Sequence, residues 1–134
     1  MAVGRRLLYL WPLWGVCLAV WTAALLTTYP VQVSKEVLPP QWGFPAAKTL
    51  HVSAYAFLTA LAAWLPARRC WPLLVLLSLH GCATEFFQQW VPGRHGSFMD
   101  VGWDHLGIAL GLALTWKWWR RGVARLGGGP ERTE

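Results

Sequence analysis

Four apolar stretches, each about as long as a helix that crosses a bilayer, constrain this chain more than any motif in it. Leu7 to Thr28 carries no charge, Ala46 to Leu65 carries Lys48, and Trp71 to Trp90 carries Glu85. Asp100 to Trp119 holds Asp100 and Asp104 at its start and Lys117 near its end. At a rise of 1.5 Å per residue, about 20 residues cover the roughly 30 Å hydrocarbon core. Composition agrees with a bilayer solvent, since 13% of the residues are charged and 55% hydrophobic, against about 25% charged in a soluble domain. The expectation is an all-α polytopic membrane protein, a four-transmembrane-helix bundle forming one domain over residues 1–125. Its spans fall at about 7–28, 46–65, 71–90 and 100–119, and a disordered cytoplasmic tail follows at 126–134.

Arg5 and Arg6 precede the first run as they would in a signal peptide. Pro12, three Trp and the lack of a small-x-small cleavage site make that run a retained span instead. With four spans both termini share a side, and Arg5, Arg6, Arg68, Arg69, Lys117, Arg120, Arg121, Arg125 and Arg132 collect there. The opposite side holds Lys35, Lys48 and Arg94, so the positive-inside rule puts the termini in the cytoplasm and the protein in the cytoplasmic (inner) membrane. The net charge of +6 then reflects topology and lipid headgroups; no basic and aromatic spacing of a nucleic-acid module is present. Prolines and tryptophans gather at the proposed helix ends, and Tyr29 to Pro45 reads as the longest loop. Cys17, Cys70 and Cys82 have no CxxC spacing and read as packing residues.

Helical spacing then decides which polar groups can meet. Lys48, His51, Tyr55 and Thr59 share one face of the second run; Ser78, Gly81, Cys82, Glu85, Gln88 and Gln89 form a stripe on the third; Asp100, Asp104, Gly107 and Gly111 form one on the fourth. Topology puts Lys48, His51, Glu85, Gln88, Asp100 and Asp104 at the outer membrane level, with Arg94 in the loop beside them. Ionisable groups in a membrane face the bundle interior and find partners, so these should converge. Gly107 and Gly111 make a small-xxx-small pair for close backbone approach beneath them. His80 and His105 lie off these faces and read as helix contacts, and the first run, without a polar stripe, reads as scaffold.

The stretches KTLHVSAY and EFFQQWVPGRHGSFMDVGWDHLGIALG together resemble the VanZ-like family of small integral membrane proteins. The family pattern runs K-x-x-H, E-x-x-Q, R-x-x-S-x-x-D and an Asp-x-x-x-Asn helix with spaced glycines, which maps onto Lys48, His51, Glu85, Gln88, Arg94, Ser97, Asp100 and Asp104. This chain has Asp104 where the family usually has Asn, and Ala47 where it often has Asp. The resemblance implies a cell-envelope protein, in a family linked to glycopeptide (teicoplanin-type) antibiotic resistance.

Three uses of the polar layer follow from its chemistry. It could bind a membrane lipid or lipid-linked envelope precursor through Lys48, Tyr55, Gln88, Arg94, Ser97 and Asp104, with Arg suited to phosphate. It could act on such a lipid, with His51 as base or nucleophile, Glu85 and Asp100 assisting, and Asp100 with Asp104 holding a divalent cation. Alternatively the ion pairs could only fix helix register.

Overall fold

A computed structural model describes residues 9–65 and 71–124, and among these all regular structure is helical. The proposed tail at 126–134, Arg5, Arg6, Arg68, Arg69, Arg125, Arg132 and Cys70 lie outside the described residues. Six helices follow in order: α1 Leu10–Leu26, α2 Tyr29–Val37, α3 Pro40–Ala62, α4 Trp71–Gln88, α5 Phe98–Leu114 and α6 Trp116–Ala124.

Local chemistry explains most of the boundaries. Pro30 and Pro40 stand in the first turns of α2 and α3, where a missing N–H leaves no bond unmade. The segment read as the longest loop is therefore mostly helical: α2 fills its first half, and α3 begins at Pro40, with Pro45 inside it. Pro45 lies near enough to the N-terminus that only a peripheral hydrogen bond is lost. Ser97 caps α5, its hydroxyl accepting from Met99 N–H at 3.1 Å, and Asp100 occupies the first turn, where the helix dipole favours negative charge.

The fourth apolar run does not continue as one helix, because it breaks at Thr115. The Thr115 hydroxyl donates back to Gly111 C=O at 2.6 Å and accepts from Trp119 Nε1 at 3.0 Å, which pins the start of α6 against the end of α5. No single described helix is long and apolar enough to cross a membrane; α1 and α2, bent by 72° at the break between them, meet that length and composition only as a pair.

α3 and α5 form the most extensive helix contact, α4 packs on α5, and α1 leans on α3 and α4. Glycine explains the first of these. A Cβ on Gly107 would lie 2.5 Å from Val52 O, and one on Gly111 would lie 2.5 Å from Ala56 O, so the two backbones touch where side chains would otherwise hold them apart. Trp14, Trp21, Leu25, Leu58, Leu77 and Ile108 fill the space between the remaining helices.

Beside this apolar core, many large apolar side chains face outward while several polar ones are buried. Val16, Val20, Phe57, Leu79, Phe86, Leu106 and Leu110 are exposed, whereas His51, Thr59, Thr84, Glu85, Gln88, Asp100, Asp104 and Thr115 are buried. An outer surface this apolar needs a nonaqueous neighbour or a partner to cover it.

Candidate functional site

His51 lies at the middle of α3, Glu85 in the last turn of α4, and Asp100 and Asp104 in the first two turns of α5. α3 and α5 run in the same direction and α4 runs opposite to both, which brings these residues to one level of the bundle. Two side-chain contacts tie α3 to α5. Lys48 Nζ pairs with Asp100 Oδ1, and the Lys48 ammonium lies 4.8 Å from the Phe44 ring centre. One turn deeper, His51 Nδ1–H donates to Asp104 Oδ1 at 2.7 Å. Asp104 is fully buried, and its other oxygen, Oδ2, has no hydrogen-bond partner.

Glu85 joins from α4. Its Oε2 accepts from the backbone N–H of Ser97 at 3.0 Å, while Oε1 is buried without a partner. This contact is possible because the loop folds tightly back on α4: Gly93 has φ of 76°, and a Cβ on Gly96 would collide with Glu85 O at 1.8 Å. Gln88, one turn beyond Glu85, is 3% exposed and its Nε2 is also unpartnered. Gly81 faces Asp104, with an ideal Cβ only 3.0 Å from Oδ2. A larger residue there would press on that carboxylate.

Hydrogen-bond counting fixes a second, neutral chain of contacts beside this cluster. The Thr22 hydroxyl has one proton and donates it to Leu18 O at 2.7 Å, so at its 2.9 Å contact with His80 it must accept from Nε2–H. In the neutral ring His80 Nδ1 is then the acceptor for Tyr55 O–H at 2.9 Å. The order Tyr55 to His80 to Thr22 to Leu18 C=O links α3, α4 and α1. Trp21 closes the top of this chain, its ring lying edge-on to both His51 and Tyr55 with centres 5.6 and 6.3 Å apart.

The structure therefore divides the residues singled out by spacing. Lys48, His51, Tyr55, Glu85, Gln88, Asp100 and Asp104 gather where the middle of α3 meets the last turns of α4 and the first turns of α5. Gln89 and Cys82, assigned to the same stripe as Glu85, are exposed. Ser97 serves as helix cap and as backbone donor to Glu85. Arg94 turns away from the carboxylates: Nε donates to Thr27 O at 2.9 Å and Nη2 to Ala24 O at 2.7 Å, satisfying carbonyls that the end of α1 leaves open. Partial burial lowers the Arg94 pKa from its ordinary value, and nearby Glu85 opposes that fall. Asp100 and Asp104 each face a different base on α3, Lys48 and His51 respectively.

Three contributors escape a spacing argument. Trp21 and Thr22 come from the run read as scaffold, and His80 enters the network from off the polar stripe. His80 had one legible signal, a lone imidazole in an otherwise apolar stretch, which must find partners from another helix. His105 stays peripheral: its Nδ1–H donates to Val101 O at 2.7 Å, and Ser78 lies 2.7 Å from its Nε2.

A cleft of about 200 Å³ opens beside the cluster between α1, α2 and α3. Leu25, Val31, Leu38, Ala47 and Leu50 line it, with His51 and Arg94 supplying polar wall. No protein-family model, curated protein or solved structure matches this chain.

Proposed function

We propose that the chain is a VanZ-like protein of the cytoplasmic membrane, with the polar end of its bundle at the outer face, and that it binds an amphipathic envelope lipid there. The cleft carries this reading. It offers an apolar trough for acyl or prenyl carbons and places at its wall an imidazole and the positive charge of Arg94, which suits an anionic headgroup on a greasy tail even with Nε and Nη2 held by α1 carbonyls. The apolar exterior supports the membrane placement, because side chains such as Phe57, Leu79 and Leu110 have no protein to cover them. The motif resemblance supports the envelope setting and a link to glycopeptide tolerance.

The hydrogen-bonded His51 and Asp104 favour a second reading, catalysis on a lipid-linked phosphate, since a buried carboxylate orients an imidazole for proton transfer. One experiment addresses both. Protein purified in mild detergent, wild type and Ala47→Trp, is extracted and its lipids identified by mass spectrometry. Ala47 lines the cleft and indole there fills it. The expected result is a lipid enriched over bulk membrane in wild type and lost in the variant; an identical lipid complement overturns the binding reading. Headgroup cleavage of added prenyl phosphates by wild type alone selects catalysis.

A further inference from the structure

Three buried groups at the core of the cluster remain chemically incomplete. His51, Glu85 and Asp104 come from three different helices, and each offers a ligand atom lying within 4.8 Å of the other two. All three side chains are more than nine-tenths buried, yet Glu85 Oε1 and Asp104 Oδ2 have no hydrogen-bond donor. A buried carboxylate oxygen without a donor is costly, and two beside each other repel as well.

Charge sharpens the point. Asp100 is matched by Lys48, and Arg94 spends its contacts on α1 carbonyls. Glu85 and Asp104 are left facing one imidazole. From these observations we infer that His51, Glu85 and Asp104 form a binding site for one divalent transition-metal ion, of the Zn²⁺ or Mn²⁺ class.

The donor set selects that class. One imidazole with two carboxylates suits first-row divalent ions, whereas Mg²⁺ and Ca²⁺ prefer all-oxygen shells. Ligand atoms around an ion bonded at about 2.1 Å sit roughly 3 to 4 Å apart, so closure on the metal takes small side-chain rotations. Three protein ligands leave a coordination position open, as in catalytic rather than structural sites. The pair read from sequence spacing, Asp100 with Asp104, is replaced by a set in which Asp100 has no part. Lipid binding is not a premise here: Ala47→Trp fills the cleft but replaces none of these ligands, so metal retained by that variant separates the two sites.

The test uses full-length protein in detergent, stripped with chelator, loaded separately with Zn²⁺, Mn²⁺ or Mg²⁺, desalted and counted by plasma mass spectrometry. Wild type is expected to retain about one Zn²⁺ or Mn²⁺ per chain and no Mg²⁺. Glu85→Gln, Asp104→Asn and His51→Ala should each lower the retained transition metal at least tenfold, whereas His95→Ala and His105→Ala should not. Since a ligand variant could misfold, X-ray absorption at the metal edge of wild type provides an independent readout. One imidazole with oxygen neighbours supports the site. A fully hydrated ion, sulfur ligation, retention far below one per chain, or loss that follows His95 or His105 overturns it.

Discussion

The α3 to α5 seam and the attachment of α1 hold this bundle together by opposite means. In the seam, Gly107 and Gly111 bring backbone against backbone, and an added Cβ would meet Val52 O or Ala56 O at 2.5 Å. α1 is held instead at separate points: Trp14 Nε1–H to Leu58 O, His80 to Thr22, and Arg94 to Ala24 O and Thr27 O. A continuous contact between main chains has nowhere to send excess volume. Point contacts can be lost one by one. The seam also aligns Lys48 with Asp100 and His51 with Asp104, so its geometry and that of the polar cluster stand or fall together.

The largest effect is accordingly expected in the seam. Gly111→Leu must separate α3 from α5 because the obstructing atoms are backbone and Thr59 Cβ, neither of which can swing aside. Overpacking of this kind costs about 1 to 3 kcal/mol when side chains can adjust, and more when they cannot. Titration with a denaturing detergent should show Gly111→Leu unfolded or destabilised by at least about 3 kcal/mol, with Gly111→Ala between it and wild type. A wild-type midpoint for Gly111→Leu would mean that the helices are not in backbone contact.

Arg94→Ala should have the intermediate effect and should change one place. It removes a charged donor from two carbonyls at the end of α1, a loss of about 1.5 to 3 kcal/mol for a hydrogen bond to a charged group. The half-buried, loop-borne position favours the lower figure. Amide hydrogen exchange in residues near Ala24 to Thr27 should accelerate while the α3 to α5 seam stays protected. Lysine at 94 should restore little, because it lacks the planar fork that reaches both carbonyls. Equal acceleration across α5 would show that α1 and the seam are one cooperative unit.

How far these regions were legible in the sequence follows from the kind of signal each leaves. Gly107 and Gly111 lie on the Asp100 face at a spacing of four, and periodicity alone places them in a helix interface. Lys48, His51, Glu85, Asp100 and Asp104 were legible for the same reason: three faces and one level in the bundle bring them together. Partner choice within the cluster was not legible, since a few ångströms decide whether Arg94 meets Asp100 or α1 carbonyls, and the tight loop with Gly93 at φ of 76° decides it. The role of α1 was hidden because Trp21 and Thr22 look like filler in an apolar run. The helix from Tyr29 to Val37 is hidden because Pro30 within it and Pro39, Pro40 and Pro45 after it suggest a loop, although Pro30 stands where a helix accepts it. The break at Thr115 carries no sequence mark at all, as it depends on where the Trp119 indole lands.

The smallest effect is expected at Trp14, and its size tests the contrast between seam and point contacts most finely. Trp14 is 5% exposed, and its indole N–H reaches Leu58 O at 2.9 Å across the α1 to α3 interface. Leu58 lies inside α3, so its carbonyl keeps its helical partner when the indole is removed and is not left bare. Trp14→Phe therefore loses one neutral hydrogen bond, worth about 0.5 to 1.5 kcal/mol, and a little packed area. Replacement by alanine also opens a cavity, for which Trp→Ala typically costs about 3 to 5 kcal/mol in a core. If α1 is held point by point, Trp14→Phe combined with Arg94→Ala should destabilise by the sum of the two single effects, because the contacts lie at different ends of the helix. A double variant that loses much more than the sum would show that α1 docks as a single rigid unit, with each contact depending on the other.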